Sequence, residues 1–303
     1  EGQVWYNTTS TVLKSFGMQG TGAWASGGTM NTPYMAGGVY IGTTTAGVYA
    51  GGIPGDVTTT QTYDGSVWSA SPATLNTGRH YITCTGLGTS TAGQVMGGEI
   101  PAPPYYSNDS EQFDGSTWTE TNHINTARIA IIGAGTQAAG LGMTGGGGGG
   151  TNIVESWDGT SWAAGTAAND SRKYAMGGGT QTSAIVAAGK KDPALLDSAE
   201  TWDGSSWTEI AVVNTARDVG GRGATSDSSA IIFGGNYPPG YTGLTEVWNG
   251  SAWTEVGDLA TGRGAIGSDG TATAAIAAGG APPYAGVTEA WNIPDAIKTF
   301  TAS

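Results

Sequence analysis

The chain has 303 residues, 38% apolar and 12% charged, with 54 glycines and 11 tryptophans, enough apolar area to offset ordering entropy and form one folded β domain. A formal charge of -13 argues against nucleic acid, whose affinity comes from basic groups on phosphates, and no run of about 18 apolar residues exists, so no membrane insertion is expected. The lone Cys84 excludes an internal disulfide framework and any multi-thiolate zinc site.

In chain order, "GQVWYNTTSTVLKSF" opens as a hairpin. No basic-then-apolar signal and no initiating Met precede it, so the numbering is expected to start inside a longer or processed chain. We divide the chain into an N-terminal hairpin or linker, 1–24, and a repeat domain, 25–303. The hairpin is expected to contribute to ring closure or to an upstream connection.

From Trp24 the sequence repeats. "YDGSVW", "FDGSTW", "WDGTSW", "WDGSSW" and "WNGSAW" end at Trp68, Trp118, Trp162, Trp207 and Trp253, and the steps from Trp24 onward are 44, 50, 44, 45 and 46 residues. A fixed period of this size marks stacked or radially arranged supersecondary units. Within Asn125 to Trp162, short apolar runs alternate with Gly-rich and turn residues, the punctuation of strands rather than helices. Each unit therefore predicts a four-stranded meander: an inner strand, a second ending in Gly-Gly, a third ending in an aromatic, and an outer strand opened by the aligned Trp. The Asp-Gly pairs at Asp64, Asp114, Asp158 and Asp203, and Asn249-Gly250, predict two-residue hairpin turns with positive φ. The flanking aromatics are expected to fill the wedge between neighbouring units.

Two charges repeat in step. Arg79, Arg128, Arg172, Arg217 and Arg263 precede the inner strands, and Glu111, Glu155, Glu200, Glu246 and Glu289 sit two residues before the third-strand aromatic. They are expected to be structural, each Arg satisfying a Glu or loop carbonyls, because a residue present in every unit serves a task common to all units. The first unit has Pro33-Tyr34 and Gln61 at the two positions, so both partners are missing together.

This order of Arg, inner strand, Gly-Gly, aromatic, turn and Trp resembles the kelch motif. The diglycine is matched at Gly51-Gly52, Gly97-Gly98, Gly145-Gly146, Gly234-Gly235 and Gly279-Gly280, with a departure at Gly189-Lys190. The period alone also fits an open solenoid; the resemblance implies closure. The expected fold is thus all-β, a six-bladed kelch-like β-propeller of four-stranded antiparallel blades. The closing "TEAWNIPDAIKTF" looks related to the opening hairpin, giving seven outer-type hairpins for six inner ones, so a terminal strand is expected to complete the blade at the seam. The Thr-, Ser- and Gly-rich, Lys-poor style also resembles tail-fibre and other virion proteins of bacteriophages, particularly those of cyanobacterial hosts.

Chemistry is sparse. His80 and His123 fall at different repeat positions. A galactose-oxidase-like copper site would draw on His80, Tyr81 and Cys84, but strand alternation places Tyr81 and Cys84 on opposite faces. The Asp-Gly turns are similar to the Asp-box of sialidases but lack its residue between Asp and Gly. Gly145 to Gly150 has no Lys-Ser/Thr after it and is no phosphate loop. No catalytic residue, metal or cofactor is expected. The loops after the diglycines vary, and three carry Tyr beside Pro-Pro: Tyr105, Tyr106, Tyr237, Tyr241 and Tyr284. Such rings would form a stiff aromatic rim suited to a sugar face or a protein surface; the plainer alternative is packing between neighbouring loops.

The sequence reading is a non-enzymatic virion structural or adhesion domain, extracellular on the particle, contacting a host-surface glycan or protein or other virion proteins. A homo-oligomer, such as a trimer formed through an upstream segment, fits that reading. The alternatives are a secreted carbohydrate-active enzyme, galactose-oxidase-like or glycosidase, and a cellular interaction scaffold.

Overall fold

Each of the five repeated Asp-Gly or Asn-Gly elements closes a hairpin, through a four-residue loop rather than the expected two-residue turn. Asp64 to Val67, for example, joins the directly paired Tyr63 and Trp68. Only the glycine needs positive φ: 93° at Gly65, 97° at Gly115, 92° at Gly159, 94° at Gly204 and 92° at Gly250. The preceding residue acts through its side chain instead. Asp114 Oδ1 accepts from the backbone N–H of Ser116 and of Thr117, both at 2.8 Å, and Asp64, Asp158, Asp203 and Asn249 do the same. The Thr117 and Ser116 donors hold the Asp114 carboxyl well below the usual carboxylate range.

The computed structural model describes residues 4–7, 12–18, 22–32, 37–55, 57–86, 88–282 and 286–300, and no helix occurs among them. Six four-stranded antiparallel sheets form the blades. Blade I contains Val39–Thr43, Ala46–Ala50, Thr59–Tyr63 and Trp68–Thr74; blade II, Thr83–Cys84, Gly93–Met96, Ser110–Phe113 and Trp118–Thr121. Blade III contains Ile132–Gly135, Gly140–Met143, Val154–Trp157 and Trp162–Ala164; blade IV, Met176–Gly179, Ala184–Ala187, Ala199–Trp202 and Trp207–Ile210. Blade V contains Gly221–Ser226, Ser229–Phe233, Thr245–Trp248 and Trp253–Glu255. Blade VI has Gly267–Gly270, Ala274–Ala278 and Thr288–Asn292, and its outer strand is Ala23–Ser26, from the other end of the chain. Inner strands of consecutive blades touch, and that of blade VI touches that of blade I, so the sheets close into a β-propeller.

Trp24 lies opposite Trp291 in the seam strand, as Trp162 lies opposite Trp157. The surplus segments form a separate three-stranded sheet, in the order Val4–Asn7, Val12–Met18, Asp295–Phe300.

The core is divided among the blade interfaces. Val39, Ile41 and Val48 of blade I pack with Cys84, Val95, Phe113 and Trp118 of blade II, and equivalent clusters fill the other interfaces. The third- and fourth-strand aromatics pair in each blade, with centroids 5.4 Å apart for Trp157–Trp162, Trp202–Trp207 and Trp248–Trp253. Such pairs add roughly 0.5–1.5 kcal/mol beyond area burial. Their indole N–H groups stitch blades together: Trp118 donates to Thr60 Oγ1 and Trp68 to Thr288 Oγ1, at 3.0 and 2.9 Å.

The diglycine turns carry a second stitch. The second residue of the pair donates its N–H to the carbonyl of the next blade's repeated Arg: Gly52 to Arg79, Gly98 to Arg128, Gly145 to Arg172, Gly189 to Arg217 and Gly235 to Arg263. This pattern corrects the alignment in two blades. In blade III the pair is Thr144–Gly145, not Gly145-Gly146, and in blade IV it is Ala188–Gly189, not Gly189-Lys190. The first position has φ of 56° at both Thr144 and Ala188, a left-handed conformation other residues tolerate at a cost. The second lies at 88–113°, where only glycine is at ease.

Candidate functional site

The repeated charges lie inside the blades. Arg79 Nη2 meets Glu111 Oε1 at 2.8 Å and Arg172 Nη2 meets Glu200 Oε1 at 2.7 Å; Arg128–Glu155, Arg217–Glu246 and Arg263–Glu289 pair likewise. All ten side chains are buried. The other carboxylate oxygen accepts loop N–H groups, from Asn76, Asn125, Asn169, Asn214 and Ala260. Burial pulls the Arg79, Arg128 and Arg172 guanidinium values down, opposed by their glutamates. In blade I the amide Oε1 of Gln61 accepts from Asn31 N–H at 2.9 Å, and its Nε2 donates to Thr32 O at 3.2 Å. Pro33 and Tyr34 lie outside the described residues. The five pairs and the aligned tryptophans Trp68, Trp118, Trp162, Trp207 and Trp253 are buried framework rather than a surface for a ligand.

Each repeated Arg is followed two residues later by a left-handed residue: Tyr81, Ala130, Tyr174, Val219 and Ala265, with φ of 48–54°, and Gly37 takes the place in blade I at 68°. Their backbones link blade to blade, Ala130 N–H to Tyr81 O, Val219 to Tyr174, Ala265 to Val219 and Gly37 to Ala265. A β-branched residue such as Val219 is there only because the ring geometry forces it. These residues surround the mouth of an axial cavity of about 80 Å³, which Thr83, Arg222 and Ser268 also line.

Arg222 crosses the axis. Its Nη1 donates to Gly133 O at 2.8 Å and Gly177 O at 3.1 Å, and its Nη2 to Thr83 Oγ1 at 2.8 Å, tying blade V to blades II, III and IV. Gly133 also lets the inner strands of blades II and III meet closely: a Cβ there would lie 1.7 Å from Cys84 O. Also on an inner strand, Asp269 accepts from Gly42 N–H at 2.9 Å and Gly270 N–H at 2.8 Å, and burial pushes its carboxyl up to about 7.

At the mouth, Tyr81 and Tyr174 meet edge to face with centroids 5.2 Å apart, and Lys173 Nζ stands 5.6 Å from the Tyr174 ring. Burial, then the neighbouring Tyr81, pushes the Tyr174 phenol up. The variable loops join this face through backbone bridges: His80 with Glu99, Glu99 with Tyr106, Lys173 with Lys190, Asp218 with Asn236 and Gly264 with Ala281.

The tyrosines singled out in the sequence divide here. Tyr105, Tyr237 and Tyr241 are 53%, 48% and 44% exposed, whereas Tyr106 is half-buried. Tyr106 covers Gly147, where a Cβ would come within 2.3 Å of its ring, and Tyr241 lies over Gly264 at 2.7 Å by the same measure. Tyr106 and Tyr241 thus pack between neighbouring loops, while Tyr105 and Tyr237 leave about half of each side chain open to solvent. Tyr284 lies outside the described residues. Sequence reasoning missed Tyr174 and Arg222, and weighed Tyr81 only for a copper site. The signal available was departure from the repeat: "RHY" and "RKY" place tyrosine where the other Arg-bearing units have Ala or Val, and Arg222 is the one arginine out of step.

The two histidines are apart in environment. His80 Nε2 stands 3.7 Å from Glu99, while His123 lies between Asp109 and Glu120, 3.2 Å from each. Donor atoms of Asp109, Glu120 and His123 lie within 4.8 Å of one another, a grouping the sequence had not indicated. Cys84 donates to Tyr40 O at 3.4 Å in the blade I–II core, and burial pushes its thiol up to about 12, which makes it a poor nucleophile.

No family model matches the sequence, and no curated protein matches it. A solved structure described as "Structure of YjhT" aligns with a TM-score of 0.70 at 14% identity, over 90% of this chain and 99% of that one. At that identity the likeness shows the fold alone.

Proposed function

We propose that this chain is a non-enzymatic binding domain of a virion, a kelch-type propeller of the tail-fibre or receptor-binding kind that engages a host-surface glycan through its loop face. The observation that carries the reading is the concentration of tyrosine on that face: exposed Tyr105 and Tyr237 on proline-bearing loops, around a mouth edged by Tyr81 and Tyr174. Aromatic rings held on stiff loops stack on sugar faces with little ordering cost. The histidines engaged with carboxylates and the buried Cys84 favour binding over turnover. Docking to other virion proteins through the same face is the companion role, with the particle as the site of action.

The test is binding to host cells and to a glycan panel by the wild type and by the Tyr105→Ala/Tyr237→Ala double variant. Both side chains are exposed, so stability should hold while affinity falls at least about tenfold, the scale of losing interface anchors. Undiminished binding by a folded double variant would remove the proposal.

A further inference from the structure

The cations of this acidic chain are unevenly spent. Of 11 Lys and Arg, five arginines are closed by glutamates inside the blades, and Lys14 and Lys298 belong to the terminal sheet. The other four, Lys173, Lys190, Lys191 and Arg222, belong to blades IV and V. Lys173 and Lys190 share one carboxylate, Asp192, at 2.8 and 2.9 Å, and Lys191 is exposed. Glu99 and Asp218 are the other acids near the mouth, and burial pushes the Asp218 carboxyl up.

Arg222 differs in kind from the repeated arginines. Among the described residues no carboxylate comes within 4.0 Å of it. Its three hydrogen bonds go to two carbonyls and a hydroxyl, none of which neutralises a guanidinium. A guanidinium has five N–H groups, so five minus three leaves two for an incoming acceptor. Asp269 acts on it electrostatically without forming an ion pair, and burial pushes that carboxyl up to about 7; a half-buried guanidinium with no paired carboxylate, on the wall of a cavity, is a receptor for an anion.

The size of the cavity sets the class of anion. About 80 Å³ is roughly half the ~150 Å³ of a cavity that takes a benzene ring, room for a carboxylate but not for a sugar ring. The ring of a larger ligand must stay outside, where Tyr81 and Tyr174 offer aromatic surface.

We propose that the axial cavity binds the carboxylate of an acidic sugar, a uronate-type residue, with the carboxylate on Arg222 and the sugar ring against Tyr81 and Tyr174. This rests on the reading of the loop face as glycan-binding and names the chemistry of the glycan.

Calorimetric titration with D-glucuronate and D-glucose tests it, since the two share a ring and differ at the carboxylate. Wild-type protein should bind glucuronate at least about tenfold tighter, the least that a charge-assisted bidentate contact supplies. Acetate should compete with glucuronate, a measurement needing no variant. Arg222→Met should erase the preference; because Arg222 also braces the ring, Arg222→Lys, which keeps the charge but not the fork, serves as the second variant and should weaken it. Equal binding of the two sugars, failure of acetate to compete, or a preference that survives in folded Arg222→Met protein overturns the inference. Neutral-glycan binding lost with Tyr105 and Tyr237 but no glucuronate preference would sink the axial site and leave the wider reading standing. An Arg222-dependent preference alongside glycan binding indifferent to those tyrosines would do the reverse.

Discussion

Glu246→Gln in blade V should be far more damaging than its one-atom change suggests. Glu246 and Arg217 are 1% and 0% exposed, and the carboxylate also accepts from Asn214 N–H at 2.7 Å and Asn214 Nδ2 at 2.8 Å. The amide preserves the shape and can still serve the Asn214 loop, as Gln61 serves Asn31 and Thr32 in blade I. It cannot neutralise Arg217, which keeps only the Thr215 and Gly234 carbonyls. A buried charge left without its partner costs about 3–5 kcal/mol. At about 2 °C per kcal/mol for a domain of this size, the thermal midpoint should fall by about 6–10 °C. Adding Arg217→Met removes the stranded charge and gives up only neutral-acceptor hydrogen bonds, each worth about 1 kcal/mol, so the double variant should be the more stable of the two. Urea unfolding followed by tryptophan fluorescence, on both single variants and the double, closes the cycle. A loss below about 1 kcal/mol for Glu246→Gln, or single effects that simply add, would refute the reasoning that these pairs are mutually dependent.

Two further outcomes follow from the hub and the seam. Asp269 is buried against Tyr40, Cys84 and Arg222, and its folded value of about 7 exceeds the ordinary one. The native state therefore holds a proton that the unfolded chain has lost, so stability should decline as pH rises from about 4 to 7 and level off above, by at most about 4 kcal/mol. Asp269→Asn should flatten that slope in unfolding midpoints measured across the window, and identical slopes would show that this carboxyl is not their source. At the seam, Trp24 packs 4.6 Å from Phe233 and 5.7 Å from Trp291 by ring centroids and donates to Thr245 Oγ1. Trp24→Ala should cost about 2–4 kcal/mol and expose the 22–32 segment to limited proteolysis, whereas an unchanged cleavage pattern would mean the strand closes blade VI without it.

The architecture was legible because Trp, Asp-Gly and Arg recur at a nearly constant spacing, and each has a local mechanical reason visible without coordinates. The diglycine alignment in blades III and IV was not, since Thr144 and Ala188 hold a backbone conformation that their side chains do not advertise. Nor was the four-residue form of the turns, because the sequence does not distinguish an Asp that sets φ from one that accepts hydrogen bonds through its carboxylate. The axial site was hidden for a different reason. Arg222 and Thr83 are 139 residues apart and meet only once the ring closes. Variable loop tyrosines stand out against a repeat, but the partners of a unique inner-strand residue are fixed by the circle as a whole.

The terminal sheet sets how the domain carries tension. Val12–Met18 runs antiparallel to Asp295–Phe300, with Leu13 opposite Phe300 and Met18 opposite Asp295. The first strand of this sheet begins at Val4, opposite Ser15, and the third ends at Phe300, opposite Leu13, so a pull drawing Val4 and Phe300 apart along the strands loads the rungs of both ladders together, in shear. Because strands sheared together resist more force than rungs loaded singly, this short ribbon acts as a clasp, keeping strain away from the seam of the propeller.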